Sequence, residues 1–185
     1  MRIISGEAKG RTLFAPSGSE TRPTSDKIRG SMFNIIGARV EGARVLDLFG
    51  GTGALALEAY SRGAALAVIV DASRSAIQVI ERNARNVAKE EFGARVRVVK
   101  ADYRTAIGGL NGEPFDLVFL DPPYRMTEAY GDALSRLRDA GLLSEDCLIV
   151  QERQKAAQVS GAEGIEVFDT RFYGDTAVDF LRVRE

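Results

Sequence analysis

The chain has 185 residues, 45% hydrophobic and 28% charged, a size and balance that suit one folded domain with at most a small appendage. One cysteine and no histidine exclude an internal disulfide, a zinc cluster, and histidine-based proton transfer or metal ligation. The net charge of −1 hides an asymmetry: residues 1–39 hold seven Lys/Arg against three Asp/Glu and the remainder 18 against 23, so a basic leading segment either docks a polyanion or is simply a solvated face.

The start, "MRIISGEAKGR", lacks the apolar stretch of a secretory signal. The longest apolar run, Ala64 to Val70, is far short of the ~20 residues of a membrane helix, so no membrane partner and a cytoplasmic location are expected. Arg2–Ser5 and Arg11–Phe14 are expected to be short strands around a Gly6–Gly10 turn. "GSETRPTS" has loop chemistry, and Pro23 favours an extended residue before it. From a Thr24 or Ser25 cap, a helix runs to Ile36, with Ile28, Met32, Ile35 and Ile36 on one face and Gly37 at its end.

After Gly42 strands and helices alternate. The strands are "ARVLDLF", "LAVIVD", "RVRVVKAD", "FDLVFLD" and "CLIVQE"; the helices are "TGALALEAYSRG", Ser73 to about Glu90, and "TEAYGDALSRLRDAG". Continuously apolar strands between helices indicate a parallel sheet covered on both faces. "GIEVFDTRFYGDTAVDFLRV" differs, with two strands joined at Gly174-Asp175, so an antiparallel hairpin closes the sheet. The expected organisation is an N-terminal extension over residues 1–40, a β-hairpin and helix, followed by an α/β domain over 41–185.

Between the first strand and its helix, "VLDLFGGTGALALE" places Gly50, Gly51 and Gly53. Glycines there allow a sharp turn and close approach of a ligand to the positive end of a helix. Asp71 ends the next strand twenty residues after Gly51, the spacing at which doubly wound proteins hold a ribose hydroxyl, and Asp102 ends the third strand at the same edge. Packing glycines with capping carboxylates is one explanation. A nicotinamide dinucleotide is a second, since Gly51-x-Gly53-x-x-Ala56 fits a pattern that is weak alone. S-adenosyl-L-methionine is a third, with Asp71 on the ribose, Asp102 on the adenine amine and the turn against the amino acid portion. The turn alone does not separate the two cofactors.

The end of the fourth strand, "DLVFLDPPYRM", separates them. The lone pair of an exocyclic amine on a base is delocalised into the ring. Accepting the amine's hydrogens localises it towards a methyl sulfonium. Asp121 offers a carboxylate and Pro122 a carbonyl; the prolines fix φ and bring no competing N–H. Tyr124 supplies a flat face for a base taken out of its stack. Rate then comes from alignment, which needs no histidine. Asp-Pro is also a common turn pair, but a dinucleotide enzyme has no use for Asp-Pro-Pro-Tyr beside an acidic strand edge.

Asp121-Pro122-Pro123-Tyr124 resembles the D/N-P-P-F/Y/W motif of S-adenosylmethionine-dependent amino-methyltransferases. With "RIISGEAKGRTL", "RPTSDKIRGSMFNII", "VLDLFGGTGALALEAYSRGA" and the final "RFYGDT", nearly the whole chain resembles the RsmD family, enzymes of the exocyclic N2 of a guanine in 16S rRNA. The resemblance implies a Rossmann-like class I methyltransferase: a seven-stranded, mostly parallel sheet with an antiparallel C-terminal hairpin and an RNA-facing N-terminal extension. It implies a cofactor site of Asp47, Phe49, Gly50, Gly51, Thr52, Gly53, Asp71 and Asp102, and a target-amine site of Asp121, Pro122 and Tyr124. "RPTSDK" would close over the methionine end of the cofactor, although Thr24 and Ser25 serve equally well as caps. The implied partner is 16S rRNA in the assembled small ribosomal subunit, which an acidic body fits better than broad gripping of bare RNA. Arg2, Lys9, Arg11, Arg22, Lys27 and Arg29 are the candidate phosphate contacts; no metal and a monomer are expected. The alternatives are a DNA adenine-N6 methyltransferase, for which the chain has no segment long enough for a target-recognition domain, and a non-catalytic cofactor- or RNA-binding module, which has no need of Asp121 and Tyr124.

Overall fold

A computed structural model describes residues 1–16, 25–158 and 161–184. Seven strands form one sheet in the order β3-β2-β1-β4-β5-β7-β6: β1 (Arg44–Asp47), β2 (Leu66–Asp71), β3 (Val96–Lys100), β4 (Phe115–Leu120), β5 (Leu143–Gln154), β6 (Ile165–Tyr173) and β7 (Thr176–Val183). The first five are mutually parallel, and β7 runs antiparallel to both β5 and β6. The mostly parallel sheet with a reversed C-terminal hairpin is thus as read from the sequence. The five parallel strands and β6 all end at one edge, while β7 begins there.

Side-chain alternation on the strands sorts the helices between two faces. Val68 and Val70 pack with α4 (Tyr103–Gly109) and α5 (Ala129–Asp139). Ala67 and Ile69 face α2 (Ala54–Ser61) and α3 (Arg74–Ala88). Val45, Phe119, Val150 and Val178 meet Met32, Phe33 and Ile36 of α1 (Asp26–Ile36) on that same second face. The helix α2 is buried on seven of its eight residues, five of them Ala or Leu and the other two Glu58 and Ser61.

The two expected N-terminal strands reduce to one antiparallel bridge, Arg2 with Thr12. The two arms still exchange backbone bonds, Ile3 N–H to Arg11 C=O and Gly10 N–H to Ile3 C=O, both at 2.9 Å, and the segment takes further hydrogen bonds from α2. The N–H groups of Ile4 and Ser5 donate to the buried Glu58 carboxylate at 2.8 and 3.0 Å, and Ala8 N–H donates to the Ser61 hydroxyl at 2.9 Å. A Cβ at Gly6, where φ is +84°, would lie 1.8 Å from the Ser61 carbonyl oxygen, so only glycine lets the chain pass this close. Ile3, Ala8 and Leu13 bury in the cluster formed by α2 and α3, which fastens the extension to the sheet body. Two other elements differ from expectation: α4 was not foreseen, and β5 begins at Leu143 rather than Cys147.

Candidate active site

The glycine turn follows β1 and lies flat on β2. Gly50 N–H donates to the Val70 carbonyl at 2.8 Å, and a Cβ at Gly50 would approach the Ile69 side chain to 2.5 Å. Gly51 and Gly53 have φ of +58° and +78°, conformations that side chains resist. Asp71 reaches across from the end of β2. One of its oxygens accepts Gly51 N–H at 2.9 Å and the other accepts Ser73 N–H at 2.8 Å. Thr52 is fixed through its carbonyl, which accepts from the Asn83 side-chain amide at 2.9 Å. Phe49 stands beside the turn with its ring 5.4 Å from that of Tyr103.

Asp47, at the end of β1, is 1% exposed, and its Oδ1 has no hydrogen-bond partner among the described residues. Burial pushes its carboxyl up to about 7; the Asp71 charge adds to the rise, and backbone N–H groups of Phe49 and Ala56 oppose it. A desolvated carboxylate oxygen lacking a donor beside a tight glycine turn suits an ammonium group. S-adenosylmethionine carries one on its amino acid end, so the residues present fit that group.

Asp102 is exposed and caps α4. Its oxygens accept the N–H groups of Arg104 and Thr105 at 3.0 and 3.1 Å and the Thr105 hydroxyl at 2.6 Å, and these bonds lower its pKa. The carboxylate is therefore ionised and held at the strand edge, with lone pairs left for a further donor.

Asp121 directly follows β4 and is partly exposed. The pairs Asp47–Phe119 and Phe119–Val150 put these residues level across β1, β4 and β5, on one face of the sheet. The last pair of that register is Leu120–Gln151, so Asp121, just past β4, lies next to Glu152 of β5 in sequence order along the two strands. Burial, then Glu152 and Asp47, push the Asp121 carboxyl well above the ordinary carboxylate range. Pro122 is buried, and Tyr124 is 50% exposed. Behind them, the Tyr130 hydroxyl donates to the Glu152 carbonyl; burial and then Asp121 raise the Tyr130 pKa. The arrangement can accept hydrogens from an amine and retain a proton.

The basic candidates separate. Arg2, Lys9 and Lys27 are exposed. Arg11 is partly covered and donates to the Asn86 carbonyl. Arg22 lies outside the described residues, as do Pro23 and Thr24 of "RPTSDK", while Ser25 caps α1 by accepting Ile28 N–H at 3.2 Å. Arg29 is a correction. It is fully buried, 3.0 Å from Asp26 and 3.6 Å from Glu58, and it donates to the Arg2 carbonyl, so no phosphate can reach it. Its charge neutralises a buried carboxylate.

Sequence reasoning missed Glu152, Glu58 and Asn83. For Glu58 the signal was a polar residue inside an otherwise apolar run; Glu152 lies just past such a run, and Asn83 lies in the polar stretch "ERNARN", which gives none. Asn83 is fully buried in α3; besides Thr52, it serves both Phe14 N–H, at 2.8 Å, and Phe14 C=O, at 2.9 Å.

Comparison with known proteins matches residues 1–182 to the family described as "Conserved hypothetical protein 95". The Bacillus subtilis (strain 168) protein named "Putative rRNA methyltransferase YlbH" is 36% identical, over 100% of both chains. "Ribosomal RNA small subunit methyltransferase D" of Escherichia coli K12 is 35% identical, over 83% of this chain and 75% of its own length. A solved chain described as "Putative methyltransferase yhhF from Escherichia coli" superposes with a TM-score of 0.85 at 30% identity, covering 100% of this chain and 98% of its own.

Proposed function

The chain belongs to the RsmD family of S-adenosylmethionine-dependent rRNA methyltransferases, and we propose that it methylates the exocyclic N2 of a guanine in 16S rRNA, on assembled small-subunit particles. The observation that carries this reading is Asp121: a carboxylate with raised proton affinity, next to the Pro122 carbonyl and the half-exposed Tyr124 ring, and one strand from the glycine turn.

The cofactor supplies an electrophilic methyl on sulfur. Asp47 is the proposed partner of its ammonium and Asp71 of its ribose hydroxyls; Phe49, Gly50, Gly51, Thr52 and Gly53 form the floor, and Asp102 faces the adenine end. The guanine, out of its stack, lies against Tyr124. Its N2 hydrogens donate to the Asp121 carboxylate and the Pro122 carbonyl, which turns the lone pair towards the methyl group. Once methylated, the nitrogen would carry positive charge and a hydrogen on it would be acidic. Asp121 takes that proton, and its raised pKa suits it to do so. Most of the acceleration comes from alignment in a partly desolvated edge.

Small ribosomal subunits from cells lacking this protein, incubated with labelled S-adenosylmethionine and digested for nucleoside mass spectrometry, test the reading. New N2-methylguanosine is the expected result. Methyl transfer to adenine in duplex DNA with none to particles would replace it with the DNA enzyme. Cofactor binding without transfer to any RNA would replace it with a binding module.

A further inference from the structure

The segment "RFYGDT", residues 171–176, forms the tip of the β6–β7 hairpin and has no part in the chemistry above. The tip lies at the strand edge that carries Asp121, because β6 runs parallel to β4 and β5. From β4 to β6 is three strand spacings, about 14 Å, which a few nucleotides of one strand can cover.

Phe172 is 58% exposed here, more than Tyr124, Phe168 or Ile35. Edge strands ordinarily carry charge or proline to discourage pairing, so a bare aromatic ring on an edge needs another explanation. The Lys155 ammonium lies 5.5 Å from the ring centroid, and Lys155 N–H is fixed to the Asp175 carbonyl at 2.8 Å. On the opposite face of the hairpin, the Tyr173 and Ser31 hydroxyls are 2.6 Å apart. Lys27 is four residues before Ser31, so it stands one turn along the same side of α1. Arg171 is held by Asp169 at 2.9 Å, whereas Lys155 and Lys27 are exposed and enter no ion pair among the described residues.

The hairpin is stiff beneath this surface. Fully buried Asp179 accepts from Arg153 at 2.6 and 3.1 Å, from Gln151 at 2.9 Å and from the Thr170 hydroxyl at 2.8 Å. A rigid tip carrying an exposed flat ring with a cation beside it, and a second exposed cation one turn from the Ser31–Tyr173 contact, matches the chemistry of an unpaired nucleic-acid strand, which offers bases to stack and phosphates to neutralise.

We propose that the β6–β7 hairpin tip docks the single-stranded RNA adjoining the target guanine, with Phe172 as a stacking platform for one base, Lys155 beside it as a phosphate contact, and Lys27 on α1 as a second. The proposal rests on the rRNA methylation reading. It divides substrate recognition between the basic N-terminal segment and the far end of the sheet, with the target site between them.

The test is methyl-transfer kinetics on small subunits from cells lacking the protein, with cofactor affinity measured in parallel by calorimetry. Phe172→Ala should raise the KM for the particle about tenfold, the size of one lost base stack, with kcat within about twofold and unchanged cofactor affinity. Phe172→Trp should restore the KM, and Phe172→Leu should not. Lys155→Ala should raise the KM less and flatten its salt dependence. An unchanged KM in every variant overturns the proposal. So does full rescue by leucine, which would mark the occupant as an apolar protein surface, or a parallel loss of cofactor affinity, which would mark a structural defect. Wild-type protein that methylates no small-subunit RNA overturns the parent reading instead, and the proposal with it.

Discussion

The Asp71 carboxylate accepts Gly51 N–H at 2.9 Å, tying the end of β2 to the middle of the glycine turn before any cofactor arrives. Asp71 therefore shapes the turn and also presents the acidic edge for a ribose. Asp121, one strand to the other side of β1, has no bond to the turn among those described.

Removing the two carboxylates should thus give different losses. Asp71→Ala is expected to weaken cofactor binding by about 10- to 100-fold, the worth of hydrogen bonds to a charged group, with turnover largely recovered at saturating cofactor. Asp121→Ala should leave cofactor affinity within about threefold and cut turnover by about a thousandfold. Calorimetry with single-turnover methylation checks both; equal losses of affinity would break the division of roles.

Asp47 makes cofactor binding depend on pH. Its pKa is raised from 3.8 to about 7 in the fold, so between those values the native state binds more protons than the unfolded chain. The sign follows: stability without cofactor falls as pH rises through this window, by about 4 kcal/mol if Asp47 acts alone. An ammonium placed beside Asp47 favours its ionised form. Cofactor binding near pH 6 should release a proton, and affinity should rise towards pH 7 and then level. Calorimetry in buffers of differing ionisation heat measures the release; Asp47→Asn should abolish it and flatten the stability profile.

Asn83 joins the leading segment to the cofactor turn through Phe14 and Thr52. Asn83→Ala should destabilise the fold by about 2–4 kcal/mol, because it leaves buried backbone groups without partners. Asn83→Asp should be comparably harmful, since a carboxylate cannot donate to the Phe14 and Thr52 carbonyls. Urea unfolding measures both.

The cations of the leading segment should divide by burial. Lys9→Glu and Lys27→Glu should raise the KM for the particle and reduce its salt dependence, each by about one phosphate contact, without changing the melting temperature. Arg29→Ala should instead cost about 1–3 kcal/mol of stability, because it removes one of two cations beside the buried Glu58 carboxylate, which keeps Arg62 at 2.8 Å and the Ile4 and Ser5 N–H groups. Binding titrations over a salt series, with thermal unfolding, separate the two classes.

The architecture was legible because its carriers are local: apolar strands, glycines at turns, and the Gly174-Asp175 reversal. The helix α4 was not, since "YRTAIGG" is one short stretch ending in two glycines, with too few turns to show a period. Capping by Asp102 was therefore open as one explanation of the acidic strand ends, with no helix yet assigned for it to cap. Arg29 was misread for a different reason. A surface arginine and a buried one look alike in sequence, and its partner Glu58 is 29 positions away on another helix. In the site, the carboxylates at strand ends were readable from their place after apolar runs. Glu152 was not, because only the register of β4 with β5 brings it beside Asp121.

The strand order also constrains how the chain folds. β7 lies between β5 and β6, so β6 cannot join the sheet by itself. β7 must reach the open edge of β5 first, alone or already zipped to β6 through their tight turn. Until that happens β5 presents a long row of unpaired amides and carbonyls, with Leu148, Ile149 and Val150 among its residues. The interval before hairpin docking is therefore the point of greatest exposure to aggregation, and substitutions that slow closure of the Gly174-Asp175 turn should lower soluble yield before they lower activity.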